Sequence, residues 1–360
     1  MTRNRAFSET ELLNDVIELL RSTLPASWDI AVELEPRLGT AEARRADAVV
    51  RVRSPEGTTA TIIVEMKSRL DPRDVPTVVL QVRPFGGDAA VVVAPYLSPR
   101  TQQRLIEWNT GYADGTGNLR LALDRPAVFV ERVGASINPS PENRPLRSLK
   151  GPAAARIVRA LCDYRPPVGI RELAKRSRAS AASVARVVGL LDREALIERE
   201  PGGGVVTVHW RETIRQWSKD YSFVDSNRVQ PLLEPRGLRA LVGKLQVAEW
   251  RYAVTGSLAA AQVAPVAAPR LAAVYVEGIR EAAGRLGLRP AESGGNVLLV
   301  EPFDPALFDR SWQREGVGYA ALSQVAADLL TSPGRGPAEG EDLMSWMERN
   351  EDAWRVRSGL

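Results

Sequence analysis

The chain of 360 residues contains one cysteine, Cys162, and one histidine, His209. A single cysteine excludes an intrachain disulfide, and one Cys beside one His cannot furnish a Cys/His zinc site. The same scarcity argues against a nucleophile–histidine pair unless His209 supplies the base. No apolar run approaches the roughly 20 residues that cross a bilayer, and the opening MTRNRAFSETE lacks the apolar core of a signal peptide. A cytoplasmic protein without membrane contact is therefore expected. Any catalysis is left to carboxylates and a metal.

Hydrophobic residues make up 44% and charged residues 26%, the composition of a globular protein with real cores, and the length suits two or three domains. Charge is unevenly spread. Residues 144 to 200 hold 13 Lys/Arg against 6 Asp/Glu, whereas residues 301 to 360 hold 6 against 11. A basic middle beside an acidic end suits a nucleic-acid-binding module next to an interaction domain, the competing reading being solvated surface.

The N-terminal third alternates helical and strand patterns. Leu12, Leu13, Val16, Ile17 and Leu20 share one helix face, and Ser8 and Glu11 are spaced as a capping box. Strand-like runs follow at 30 to 35, 46 to 53 and 59 to 66, then a Pro-opened stretch from Pro72 to Val82. AAVVVA (89 to 94), a helix capped by Ser98, and the short strands LRLAL and AVFVE complete a mixed α/β layer pattern near residue 132. GYADGTGNLRL (111 to 121) reads as a tight turn between strands, with Asp114, Gly115, Gly117 and Asn118 as turn residues.

Within that pattern, Asp47 precedes one strand, while Glu65 and Lys67 stand two apart on the next. A spacing of two points both side chains to one face of a sheet. Two carboxylates can hold Mg²⁺ and an ammonium can steady an attacking water or a phosphate charge, which is the chemistry of phosphodiester cleavage. The competing reading is an exposed ion pair contributing about 0 to 1 kcal/mol. The order of elements with Asp47 and Glu65-Met66-Lys67 resembles the PD-(D/E)XK nuclease-like fold over roughly residues 8 to 131. The resemblance implies Asp47 and Glu65 as metal ligands, Lys67 as the catalytic cation, Glu11 or Glu18 as a helix-borne carboxylate, and Gln81 as an accessory residue. The proline that this family often places before the Asp is absent, Arg45 and Ala46 standing there.

GASINPSPENRPLRSLKG (134 to 151) lacks periodicity and reads as a linker. Beyond it the pattern is that of a winged helix-turn-helix over residues 152 to 212. A helix runs from Pro152 to Asp163 with Ile157, Val158 and Leu161 inward, then IRELAKRS, a turn at Arg178 to Ser180, and ASVARVVGLLDREA, with a hairpin around PGGG. On the expected recognition helix, Ser180, Ser183 and Arg186 face outward, suited to base edges or phosphates. Arg176, Arg178, Arg193 and Arg199 are the expected phosphate contacts. A winged helix used only for protein contact is the alternative.

The remainder, 213 to 360, reads as an α/β domain ending in an acidic amphipathic helix. Gly256-Ser257 is similar to the opening of a nucleotidyltransferase motif, but the following strand offers only Glu277, with Tyr275 at the same-face position, so that activity is not expected. The phrases AVTGSLAAAQVAPV and SQVAADLLTSPGRGPAEGEDLMSWM, together with GYADGTGNLRL and the order of domains, resemble the AbiEi family of type IV toxin–antitoxin antitoxins. That resemblance implies a double-stranded DNA-binding transcriptional regulator. The alternatives are a Mg²⁺-dependent DNA endonuclease guided by the winged helix, and a protein-interaction scaffold. Double-stranded DNA is the expected partner, with a cognate toxin at the C-terminal domain and a second copy of the chain as further options. The tryptophans are expected as core anchors.

Overall fold

The structure, a computed structural model, describes residues 9–34, 46–140, 148–265, 267–291 and 293–357. It is a mixed α/β protein that divides into two compact units. One comprises Met1–Asn143 with Arg193–Ala195, the other Arg144–Asp192 with Leu196–Leu360. The capping Ser8 lies outside the described residues, as does the stretch before Ala46.

In the first unit a helix α1 (Glu9–Thr23) precedes strands β1 (Asp29–Leu34), β2 (Ala48–Arg53) and β3 (Thr59–Met66). Then come α2 (Val75–Val82), β4 (Ala89–Ala94), α3 (Pro99–Glu107), β5 (Gly111–Asp114), β6 (Leu119–Leu123) and β7 (Val128–Arg132). The seven strands lie in chain order in one sheet, with β3, β4 and β5 parallel and the other neighbours antiparallel. Alternation sorts the two faces. Val50, Val52, Ile62, Val64, Val91 and Val93 meet the Leu12–Leu20 stripe of α1, while Val92 and Ala94 meet Val75, Val78 and Val79 of α2 and Leu105 of α3. Val49 and Ile63 lie on this second face against Val82.

The tight turn expected within GYADGTGNLRL lies between two strands, GYAD forming β5 and Leu119–Leu123 forming β6. Asp114 ends β5 and gathers the turn around its buried carboxylate, which accepts hydrogen bonds from Leu97 N (3.0 Å), Thr116 N (2.8 Å) and Asn118 Nδ2 (2.8 Å). The expected linker is pinned here at its start. Gly134 N donates to Asn118 Oδ1 at 2.7 Å, and a Cβ on Gly134 would fall 2.3 Å from the Thr116 carbonyl oxygen. Only glycine passes.

The second unit opens with α4 (Pro152–Asp163), α5 (Ile170–Ser177), α6 (Ala181–Arg193) and a hairpin of β8 (Ile197–Arg199) and β9 (Val205–Val208). Helices α7 (Trp210–Trp217) and α8 (Leu238–Gln246) flank β10 (Arg228–Leu233). Next follow β11 (Tyr252–Thr255), α9 (Gly256–Ala260), β12 (Ala272–Val276), α10 (Ile279–Leu286), β13 (Arg289–Pro290) and β14 (Val297–Glu301). The chain ends with β15 (Trp312–Arg314), β16 (Val317–Tyr319), α11 (Leu322–Leu330), α12 (Gly336–Arg349) and α13 (Glu351–Trp354). The sheet order is β13-β10-β14-β12-β11-β16-β15.

One hydrophobic core runs through this unit from Leu149 to Met347, so residues 152–212 and 213–357 share it. Residues Leu322 to Leu329 of α11 are all buried. Such a helix has no solvent face and must pack on several sides. The acidic end is used internally: Glu341 accepts from Arg215 (2.6 Å) and Arg211 (3.1 Å), and Glu351 accepts from Trp210 Nε1 at 2.7 Å. Arg355 donates to the carbonyls of Cys162 (2.8 Å) and Tyr164 (3.0 Å), closing the C-terminal turn of α4. Among the described residues no helix is long and apolar enough to cross a membrane.

Candidate functional sites

The β2–β3 register, Ala48 opposite Val64, carries on to set Asp47 beside Glu65. Both share the face of Val49 and Ile63, the one covered by α2. Where β2 has not yet begun, the Asp47 carboxylate takes the place of a ladder carbonyl: Met66 N donates to Oδ2 at 2.6 Å. One residue on, Lys67 N donates to Val93 O at 2.8 Å and so continues the pairing with β4. Lys67 Nζ reaches back to Glu65 Oε1 at 2.5 Å, with the two side chains 29% and 12% exposed. Directly opposed residues on neighbouring strands have Cα atoms about 4.5–5.5 Å apart, so all three side chains converge at the end of β3.

Asp47 Oδ1 and Glu65 Oε2 remain without a protein partner among the described residues. Two carboxylate oxygens suit Mg²⁺, which usually keeps several waters and binds through one or two carboxylates plus substrate phosphate. Among the described residues no group of three or more His, Cys, Asp or Glu is placed to hold a metal. The helix-borne carboxylates do not add a third ligand. Helix α1 packs on the opposite face of the sheet, Glu11 and Glu18 are exposed, and Glu18 pairs with Arg21 at 2.7 Å. Gln81 lies on α2 over the correct face, but its side chain is on the exposed side, between the buried Val79 and Val82.

In the second unit, α5 ends at Arg178 in the left-handed conformation (φ 47°), and this residue turns the chain toward α6. Ser180 caps α6: Ser183 N donates to Ser180 Oγ at 3.1 Å, and the two hydroxyls are 2.9 Å apart. Both hydroxyls are thus committed to the cap, which is where the outward-facing expectation gave them a ligand. Val184, Val187, Val188 and Leu191 are buried, leaving Arg186 exposed beside Ala182 and Ala185. Arg186 Nη2 lies 3.4 Å from Ser183 Oγ, a long contact that leaves most of the guanidinium's donors in solvent.

The other four arginines differ. Arg178 is 68% exposed and has Asp309 at 3.4 Å. Arg199, exposed on β8, donates to Gly203 O at 3.2 Å in the hairpin turn. Arg176 is held by Glu172 at 2.6 Å and lies over the Tyr164 ring at 4.3 Å, with a side chain only 14% exposed. It is a packing residue. Arg193, in the last turn of α6, is half-buried and partnered. The hairpin gains a third short segment, since Val168 bridges to Val205.

A third constellation was not read from the sequence. Asp328 on α11 is 1% exposed and forms no ion pair among the described residues. Its carboxylate accepts from Thr255 Oγ (2.5 Å), Tyr221 OH (2.7 Å), Gln324 Nε2 (2.8 Å) and Tyr275 OH (3.0 Å). Burial pushes its pKa up to about 6 despite these donors, and it drives the two phenols well above their usual value. Beside Thr255, Ser257 donates to Glu339 on α12. Glu277 is exposed and pairs with Arg251 at 3.5 Å, while Tyr275 is buried, so β12 presents no carboxylate pair. The signal available in the sequence was α11 itself, an apolar helix interrupted by Ser323, Gln324 and Asp328. The buried Cys162 thiol is pushed up by its apolar surroundings and is inert.

Compared with known proteins, the chain matches no family model, no curated protein and no solved structure.

Proposed function

We propose that the chain is a double-stranded DNA-binding transcriptional regulator of the antitoxin type, similar in organisation to the AbiEi family. DNA engagement falls to residues 152 to 212, read as a winged helix-turn-helix. The observation that carries this reading is the arrangement of α5, a three-residue turn and α6, followed by the β8–β9 hairpin, with Arg186 exposed between alanines on α6. A helix bearing small side chains and one long cation can approach a groove closely, and Arg is the commonest reader of guanine. Arg178 and Arg199, exposed on the turn and the wing, would contact phosphate and position the module. The meeting of the two family-like phrases, through Thr255 with Asp328 and Ser257 with Glu339, lends support to the AbiEi-like reading of the C-terminal part.

The test is a gel shift of the full chain on its own upstream DNA against an unrelated duplex of equal length. Binding of the upstream fragment at least about 10³ tighter supports a regulator; equal binding of both fragments contradicts it.

A second reading rests on the convergence of Asp47, Glu65 and Lys67. As a Mg²⁺-dependent endonuclease, the chain would hold the ion through Asp47 and Glu65, and the ion would supply Lewis-acid activation of a phosphodiester and its water. Lys67 would hold charge on the phosphoryl oxygens, released from Glu65 as that carboxylate turns to the metal. Nicking of plasmid in Mg²⁺ by the wild type and not by Lys67→Ala would establish it; equal nicking by both would remove it.

A further inference from the structure

The C-terminal half of α4 borders a small cavity lined largely by charged side chains. Its lining includes four arginines, Arg156, Arg159, Arg176 and Arg310, and two aspartates, Asp163 and Asp309. Arg156 is paired with Asp304 at 2.8 Å, and Arg176 with Glu172 at 2.6 Å. Arg159 is different. It is 7% exposed, its Nε has no hydrogen-bond partner, and it enters no ion pair among the described residues. Asp163, Asp304 and Asp309 act on it only through space.

A buried guanidinium without a partner is costly, and real proteins remove that cost with a counter-ion held in hydrogen-bonding geometry. Burial raises the pKa of the neighbouring Asp163, against the opposing pull of Ser323 and of Arg310, Arg159 and Arg355. At the rim, Arg310 is exposed, holds the left-handed conformation (φ 66°), and lies over the Tyr164 ring at 5.0 Å, with no side-chain hydrogen bond among the described residues. The cavity measures about 30 Å³, against the roughly 10–15 Å³ that one water-sized group needs. There is room for two oxygen atoms.

We propose that this cavity is an anion site for a phosphate group, with two oxygens inserted against Arg159, and Arg310 closing the rim. The planar guanidinium fork matches a pair of phosphate oxygens, while the rest of the tetrahedron would project into solvent. The inference is independent of the DNA-binding reading, since both free phosphate and a phosphate monoester carry the required end.

Thermal unfolding of the full chain tests it, with chloride, inorganic phosphate or glycerol 3-phosphate at equal ionic strength. Saturating phosphate is expected to raise the melting temperature by about 3 °C or more over chloride. The rise should vanish in Arg159→Met, and the apparent affinity should fall about fivefold or more in Arg310→Gln. A response to both ligands identifies the phosphoryl end as the part recognised; a response to inorganic phosphate alone identifies the free anion. If Arg159→Met does not fold, the exposed Arg310→Gln still decides. No rise with either ligand, or a rise unchanged in the folded variants, overturns the proposal.

Discussion

Asp47 and Glu65 sit at the end of one seven-stranded sheet, partly exposed, with an ammonium alongside and one carboxylate oxygen each left over. Asp328 packs against the other seven-stranded sheet, fully buried, with no ion pair among the described residues and four neutral donors closing on it. The same side-chain chemistry therefore has two uses. A carboxylate with unfilled acceptor sites can take a metal from outside; one whose acceptor sites are filled by tyrosine, threonine and glutamine is a structural tie between α11, β11 and β12. Residue type does not separate the two cases. The partners do.

Asp328→Ala breaks this comparison most severely. It leaves four buried donors facing a void, and the expected loss of stability is about 4 kcal/mol in urea unfolding of the full chain. Glu65→Ala, which frees an accessible lysine, should cost less than about 1 kcal/mol. Equal losses would show that the two acids are not held differently.

A smaller effect comes from pH. The folded pKa of Asp328 lies near 6, above the ordinary aspartate value of 3.8, so the folded state binds the proton more tightly. Stability from this group is full below pH about 4 and is lost as pH rises through about 6, a change on the order of 2–3 kcal/mol. Asp163 is shifted in the same direction, and Glu234 and Glu341 in the opposite one; the latter two lose stability only as pH falls through values below the ordinary 4.5. Between about pH 4.5 and 6 the buried aspartates should therefore dominate, and stability should rise as pH is lowered. Asp328→Asn should flatten that rise in pH-dependent melting. An unchanged slope would assign it elsewhere.

A comparably small loss is expected at Asp47. Asp47→Ala removes the acceptor of Met66 N but leaves that group near solvent, for about 1 kcal/mol of stability. The same variant should abolish the weak Mg²⁺ binding expected of the wild type in calorimetry. Retained binding would place the ion elsewhere.

Much of the fold was legible in the sequence because its elements are marked by local composition and spacing. The strands around Ala48–Arg53 and Thr59–Met66 are runs rich in β-branched residues, and α4 and α5 have the limits that the apolar spacing gave. The turn between β5 and β6 was legible from Asp114, Gly115, Gly117 and Asn118, while GYAD itself, four residues with a glycine and an aspartate, owes its extended form to pairing with β4. The Asp47–Glu65–Lys67 cluster was legible because two spacing rules suffice. The Asp328 network was not, since its members lie up to 107 residues apart and no local period links them. Nor could spacing reveal that the Tyr164 ring lies against Arg176, or that α1 turns Glu11 and Glu18 to the far side of the sheet.

With the acids accounted for as one open cluster and one closed network, the DNA-binding reading rests on the exposed arginines around α6. Fluorescence anisotropy of the full chain on its upstream duplex, measured across a salt series, tests it most directly. Arg186→Ala should weaken binding to that duplex about tenfold while leaving the salt slope nearly unchanged, and Arg178→Ala should lower affinity for every duplex and flatten the slope by about one. Unaltered affinity and salt slope in the double variant would contradict the account.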